Sequence, residues 1–268
     1  MKDEHFGLFK DSLNSIYSTR EIDFFWKELQ RYNLTSQHER LSHIIERLIK
    51  NEPIQYITGQ SYFYDREFSV NTDTLIPRPE TEELVDLIIK DHKEISERRL
   101  EILDIGTGSG CIPIILASHL KHAVLTALDV SQEAIKVAGR NAERYNLNIK
   151  FLIEDIRAYE APGLYDVIVS NPPYIPQTEK SLMHKNVLDH EPGLALFVSD
   201  EDPLVFYRSI ADFAWIRLKN NGYLYFECNE YNAQEVYAYV EKCDFKNVHL
   251  FRDLQGKERI VRAQKIKE

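Results

Sequence analysis

Leu103-Asp104-Ile105-Gly106-Thr107-Gly108-Ser109-Gly110-Cys111 decides the fold. Residues 100–105 form a short apolar run that stops on three alternating glycines, and residues 112–120 continue as an apolar helical stretch. Strand, glycine turn and helix in that order open an α/β unit, because glycine allows both a tight turn and a close approach of backbone to ligand. The spacing is GxGxG rather than the GxGxxG of dinucleotide sites, and no Gly-Lys-Ser/Thr follows, which excludes a P-loop. Asp129 lies 19 residues after Gly110, at the tip of a strand over 124–128. A carboxylate there accepts both ribose hydroxyls of an adenosine. A GxGxG turn with a strand-tip acid suits S-adenosylmethionine better than NAD, since that cofactor has no pyrophosphate to place at a helix start. Gly106, Thr107, Gly108, Ser109 and Gly110 are the expected contacts of its methionine end, Asp129 of its ribose, and Asp155 with Ile156 of its adenine edge. The competing readings are a glycine-rich turn without ligand and, for Asp155, a loop cap.

Outward from this unit the alternation continues. Helices are expected over 134–145 and 206–218, and strands over 149–153, 165–170 and 223–226. Two further strand-like stretches, near 248–251 and 259–261, could close the sheet as an antiparallel pair. Repeated βα units imply an α/β fold with a doubly wound parallel sheet. Upstream, Leu41, Ile44, Ile45, Leu48 and Ile49 follow helical spacing, as do Ile22, Phe25, Trp26 and Leu29, and more weakly Phe6, Phe9, Leu13 and Ile16. Ser36 with Glu39 reads as a capping box, and Asn51 with Pro53 as the end of that helix. Tyr62, Phe63, Tyr64, Phe68 and Val70, broken at Asp65-Arg66, read as a hairpin. The expected organisation is a helical bundle over 1–58, a linking hairpin over 59–75 and the α/β domain over 76–268.

The strand at 165–170 runs into Asn171-Pro172-Pro173-Tyr174. Two prolines fix φ and remove two N–H groups, so no donor competes for the neighbouring carbonyls. The Asn171 amide oxygen and the Pro172 carbonyl then offer one acceptor to each hydrogen of a planar –NH2 group. Tyr174 offers a ring face to the π-system behind that nitrogen. Such a site takes a carboxamide or an arylamine, and it lies at the carboxyl end of a central strand, where open α/β sheets bind ligands.

Composition narrows the function further. The chain has 268 residues, 33 Lys plus Arg against 43 Asp plus Glu, and a formal charge of −10. That balance disfavours general phosphate-backbone binding, which relies on basic patches. The cysteines (Cys111, Cys228, Cys243) are odd in number and form no CxxC, which suits a reducing cytoplasmic setting. No signal-peptide core and no membrane-length apolar stretch is seen. Nine histidines show no metal-ligand spacing, so no metal is expected. Cys111, at the start of the helix after the glycine turn, reads as a packing residue. Arg78 and Glu80 either orient a ligand or cap the following helix.

Ile76-Pro77-Arg78-Pro79-Glu80-Thr81-Glu82, the 103–111 stretch and Ser170-Asn171-Pro172-Pro173-Tyr174-Ile175-Pro176 together resemble the release factor glutamine methyltransferases. Glu191-Pro192-Gly193-Leu194-Ala195-Leu196 resembles that family's E-P-x-x-A-L loop, and the Pro53 to Gly59 stretch its interdomain segment. The resemblance implies a class I S-adenosylmethionine-dependent methyltransferase domain with a Rossmann-like seven-stranded sheet and an N-terminal helical bundle that helps dock the substrate. It implies methylation of the glutamine amide in the Gly-Gly-Gln motif of class 1 peptide chain release factors. Carried over residue by residue, it puts the cofactor on Gly106 to Gly110, Asp129 and Asn171, and the substrate amide on Asn171, Pro172, Pro173 and Tyr174, with Glu191 as a further substrate contact. The chain departs from the family pattern at 198–204, which lacks the usual glycines, and at Cys228-Asn229, where E-I-G is usual. The tetrad alone is shared with adenine amino-group methyltransferases, which is the competing reading of the substrate.

Overall fold

The computed structural model describes residues 2–95 and 98–267. Three helices, α1 (Lys2–Leu13), α2 (Thr19–Arg31) and α3 (His38–Ile49), are followed by the short α4 (Ile54–Thr58). Most of the helically spaced apolar residues meet in one core containing Phe9, Leu13, Ile22, Trp26, Leu41 and Leu48, whereas Ile16 and Ile49 are exposed. The Ser-x-x-Glu spelling occurs twice here, and only one copy works as a cap. Ser18 accepts from the Glu21 N–H, and the Glu21 carboxylate accepts from the Ser18 N–H at 2.8 Å. At the second copy the chain turns helical at His38, so Gln37 is the N-cap and Ser36 sits one residue too early to bond.

A hairpin, β1 (Gln60–Phe63) and β2 (Arg66–Ser69), precedes α5 (Pro79–His92). Its turn is Tyr64-Asp65, both at positive φ. The break therefore falls one residue earlier than expected, because Arg66 already pairs with Phe63.

Strands and helices then alternate as β3 (Leu100–Ile105), α6 (Cys111–His119), β4 (Ala123–Asp129), α7 (Gln132–Arg144), β5 (Lys150–Ile153) and β6 (Tyr165–Ser170). A segment of short pieces follows: β7 (Ile175–Pro176), α8 (Lys185–His190), α9 (Gly193–Leu196) and β8 (Phe197–Val198). The chain ends with α10 (Val205–Arg217), β9 (Leu218–Glu227), α11 (Ala233–Lys242), β10 (Lys246–Arg252) and β11 (Glu258–Gln264).

The main sheet has seven strands in the order β10-β11-β9-β6-β3-β4-β5. The five strands β9 to β5 are parallel, and β11 runs antiparallel to both of its neighbours. From β3 the chain winds outward through β4 and β5, then crosses to β6 on the other side. That reversal opens a crevice above the carboxyl ends of β3 and β6. Every residue of β6 is buried, consistent with its central place and continuous apolar run. Strand β9 starts at Leu218 rather than near 223. The polar Lys219-Asn220-Asn221 stretch does not read as strand, yet Asn221 donates to the Lys265 carbonyl at 2.7 Å. The hairpin lies on the α/β domain. Phe63 and Phe68 join Leu84, Ile88 and Ile115 in its core, and Asn141 of α7 bonds both the N–H and the C=O of Ser69 at 2.8 and 3.0 Å.

Candidate active site

A cavity of about 390 Å³ opens above the ends of β3, β4 and β6. Gly106 to Ser109, Asp129, Asp155, Ile156, Asn171, Pro172 and Pro173 line it, so the structure brings nearly all of the expected site residues together. Pro77, Arg78 and Thr81, and Pro192 to Ala195, form further walls.

The glycine turn is stitched to β4. The Gly106 and Thr107 N–H groups donate to the Leu128 carbonyl at 2.9 and 3.0 Å. The Gly108 N–H donates to Asp129 at 2.9 Å, and the other Asp129 oxygen accepts from the Ser131 N–H. Asp129 is thus aimed by two backbone donors, while burial pushes its carboxyl upward. Gly110 has no side-chain alternative. Its φ is +80°, and a Cβ there would lie 3.0 Å from that of Ala138 on α7.

Beneath the turn lies a residue that the sequence did not single out. Asp104 is fully buried, and neither of its carboxylate oxygens, nor the Thr107 hydroxyl, has a hydrogen-bond partner among the described residues. Desolvation raises this carboxyl to about 7, with nearby Thr107 opposing and the Asp129 charge adding to the rise. An unpaired buried acid beside a cavity wall is costly unless a cationic group compensates it.

On the opposite wall Asn171 continues β6, whose end is pinned by the Ser170 hydroxyl donating to the Ile105 carbonyl at 2.7 Å. The Asn171 Nδ2 donates to the Thr81 hydroxyl at 3.3 Å, and Thr81 donates to Glu227 Oε2 at 2.6 Å. Glu227, the last residue of β9, is buried and raised to about 7, chiefly by desolvation, with Thr81 and Arg259 opposing. Pro172 and Pro173 provide no N–H to the cavity.

Four expected contacts are modified. Gly110 is absent from the cavity wall and faces Ala138 on α7 instead. Tyr174 is absent from the cavity wall and packs, partly buried, against the core cluster that holds Tyr207, Phe226 and Cys228. Glu191 is also off the wall. Its carboxylate, 1% exposed, pairs with Arg78 at 2.5 Å and accepts from the Ile76 N–H at 3.3 Å. It therefore ties the 76–78 strap to the loop whose Pro192 to Ala195 line the cavity, and Arg78 serves that tie rather than a side-chain cap of α5. Asp155 is on the wall, but it also caps the Arg157 N–H and binds its guanidinium, which holds the carboxyl low. Cys111 is buried and its thiol is pushed up to about 12 by desolvation, so it is no nucleophile at neutral pH. No group of His, Cys, Asp or Glu able to hold a metal ion occurs among the described residues, and no described helix is long and apolar enough to cross a membrane.

Sheet order, glycine turn and crevice define a class I methyltransferase with a Rossmann-like sheet. Residues 84–191 match the methyltransferase small domain family. The fold is similar to a crystal structure of a methyltransferase from Pyrococcus furiosus, with a TM-score of 0.56 at 18% identity, covering 84% of this chain and 100% of that one. The chain is 44% identical to the release factor glutamine methyltransferase of Flavobacterium psychrophilum, covering 95% of this chain and 96% of the relative. It is 48% identical to the one of Bacteroides thetaiotaomicron, covering 85% and 82%. The chain belongs to the release factor glutamine methyltransferase family.

Proposed function

We propose that this chain transfers a methyl group from S-adenosylmethionine to the side-chain amide nitrogen of the glutamine in the Gly-Gly-Gln motif of class 1 peptide chain release factors. The observation that carries the reading is the acceptor pair at Asn171-Pro172. With Nδ2 of Asn171 engaged by Thr81, its Oδ1 is left for the cavity, next to a proline carbonyl with no competing donor. Two acceptors fit the two hydrogens of a carboxamide, and family membership favours that substrate over an adenine amine. The formal charge of −10 also speaks against a nucleic-acid substrate.

The residues present fit the cofactor. Its cationic amino group would compensate the unpaired Asp104 and Thr107 beneath the glycine turn. Asp129 would take the ribose hydroxyls, and Asp155 with Ile156 the adenine edge. When bound, the cofactor supplies an electrophilic sulfonium methyl. The chain supplies positioning. An amide nitrogen is weakly nucleophilic because its lone pair is delocalised. Asn171 Oδ1 and the Pro172 carbonyl hold both N–H groups, draw the nitrogen toward sp3 character and stabilise the positive charge that develops on it. As the N–C bond forms the S–C bond breaks, and the extra proton leaves the nitrogen for solvent. The cavity wall offers no histidine or lysine as a base. Tyr174, off the wall, backs the tetrad from the core side, and Glu191 acts through Arg78 and the loop behind it.

The test incubates the protein with methyl-labelled S-adenosylmethionine and either a release factor or adenine-containing nucleic acid. Label is expected on the Gly-Gly-Gln glutamine. Label on adenine would replace this reading with its competitor.

A further inference from the structure

Thr81, within the Pro79-Glu80-Thr81-Glu82 stretch, engages the Asn171 amide, and behind it stands Glu227, at the end of β9. Thr81 and Glu227 lie 146 residues apart and share one hydrogen bond of 2.6 Å. Both are buried, at 3% and 2% exposure, so this bond is shielded from bulk solvent. We propose that Glu227 and Thr81 form a positioning relay that fixes which way the Asn171 amide is turned, and so selects an –NH2 group as the substrate of this site. The proposal rests on the methyltransfer reading above.

Hydrogen-bond direction sets the orientation of the amide. A hydroxyl has one hydrogen and two lone pairs. Thr81 spends its hydrogen on Glu227 Oε2, which as an ionised carboxylate can only accept. Thr81 can then only accept from Asn171, and the neighbour it accepts from at 3.3 Å must be the –NH2 end of the amide. The Oδ1 end is left toward the cavity, where a donor is received. Were the Thr81 hydrogen free, it could donate to Oδ1, and the reversed amide would turn its –NH2 toward the cavity. That face would repel a substrate amide nitrogen and accept a carbonyl instead.

The ends of the relay are anchored independently. Glu227 is held on β9, where the Tyr207 hydroxyl donates to its carbonyl at 3.0 Å and Arg259, bonded to the Cys228 carbonyl at 3.1 Å, moderates its charge. Thr81 sits in the first turn of α5, begun by Pro79. Asn171 is fixed by β6. Three elements distant in sequence thus converge on one amide.

The test compares Thr81→Val, which keeps the shape and removes both hydrogen-bonding roles, with Thr81→Ser, which restores the hydroxyl. Turnover of a release factor, KM for it and cofactor affinity are measured for each, with thermal unfolding as the check on folding. Thr81→Val is expected to lose roughly 10- to 100-fold in kcat, the cost of one misdirected acceptor in a low-dielectric site, while cofactor Kd changes less than about threefold. Thr81→Ser is expected to recover most of that loss. A Thr81→Val enzyme within about threefold of wild-type kcat overturns the relay. So does a Thr81→Ser enzyme that folds, binds cofactor and stays as slow as Thr81→Val. A wild-type protein that methylates no release factor would instead sink the methyltransfer reading, and the two failures are told apart by that control.

Discussion

In the proposed mechanism the Asn171 side chain provides one of two acceptors for the substrate amide. Removing it with Asn171→Ala leaves one N–H of the substrate unheld, and kcat should fall roughly 100- to 1000-fold, as for other preorganised electrostatic contacts. Cofactor affinity, carried mainly by the opposite wall, should change far less. Rapid-quench turnover and calorimetric binding on one preparation separate the two effects. At Asp104 the prediction concerns pH. Burial raises this carboxyl to about 7, so it is largely protonated below that pH. A cationic ligand favours the ionised form, and binding therefore pulls a proton off. Cofactor affinity should strengthen as pH rises toward 7 and level off above it. In Asp104→Asn the dependence should flatten, and a wild-type affinity that is level across this range would contradict the assignment.

Among the elements, the ion pair of Arg78 with Glu191 joins the strap before α5 to the loop before α9, 113 residues later. Arg78→Ala leaves a carboxylate of 1% exposure without its cation, and Arg78 itself is one-third exposed, which softens the loss. Urea denaturation should show a destabilisation of about 2 kcal/mol, with Arg78→Lys intermediate. A change within about 0.5 kcal/mol would mean that the pair is screened by solvent. The strands and helices of the parallel sheet are legible in the sequence because short apolar runs alternate with longer helical stretches, and β6 matches its expected bounds to the residue. The glycine turn and tetrad were legible because local chemistry forces them. What escaped depends on partners far along the chain. Glu191 reads as a polar loop residue until Arg78 is beside it, Tyr174 reads as a ring beside prolines until its core neighbours are in place, and nothing local marks Thr81, Asp104 or Glu227. Ser36 and Ser18 carry the same capping spelling, and only the entry point of each helix distinguishes them.

For the molecule as a whole, directed bonds tie the helical bundle both to the linking segment, at Thr74 and Glu67, and to the α/β domain, at His190. The Tyr56 hydroxyl donates to the Thr74 carbonyl at 2.7 Å, Tyr32 donates to Glu67 at 2.5 Å, and His190 on α8 meets the Lys50 carbonyl at 2.8 Å. The hairpin, by contrast, buries Phe63 and Phe68 in the core of the sheet domain. A chain beginning at residue 59 should therefore stay folded and bind cofactor, whereas one beginning at residue 76 should melt at markedly lower temperature or fail to fold. Circular dichroism melts with and without cofactor check this, and equal stability of the two truncated chains would place the hairpin with the bundle instead. The central claim is that a donor-free bend after β6 holds a carboxamide by its two hydrogens. A crystal structure with demethylated cofactor and a Gly-Gly-Gln peptide tests it most directly. The account predicts the glutamine nitrogen at about 2.9 Å from both Asn171 Oδ1 and the Pro172 carbonyl oxygen. A glutamine whose carbonyl oxygen faces Asn171, or whose nitrogen lies outside hydrogen-bond reach of both acceptors, would contradict it.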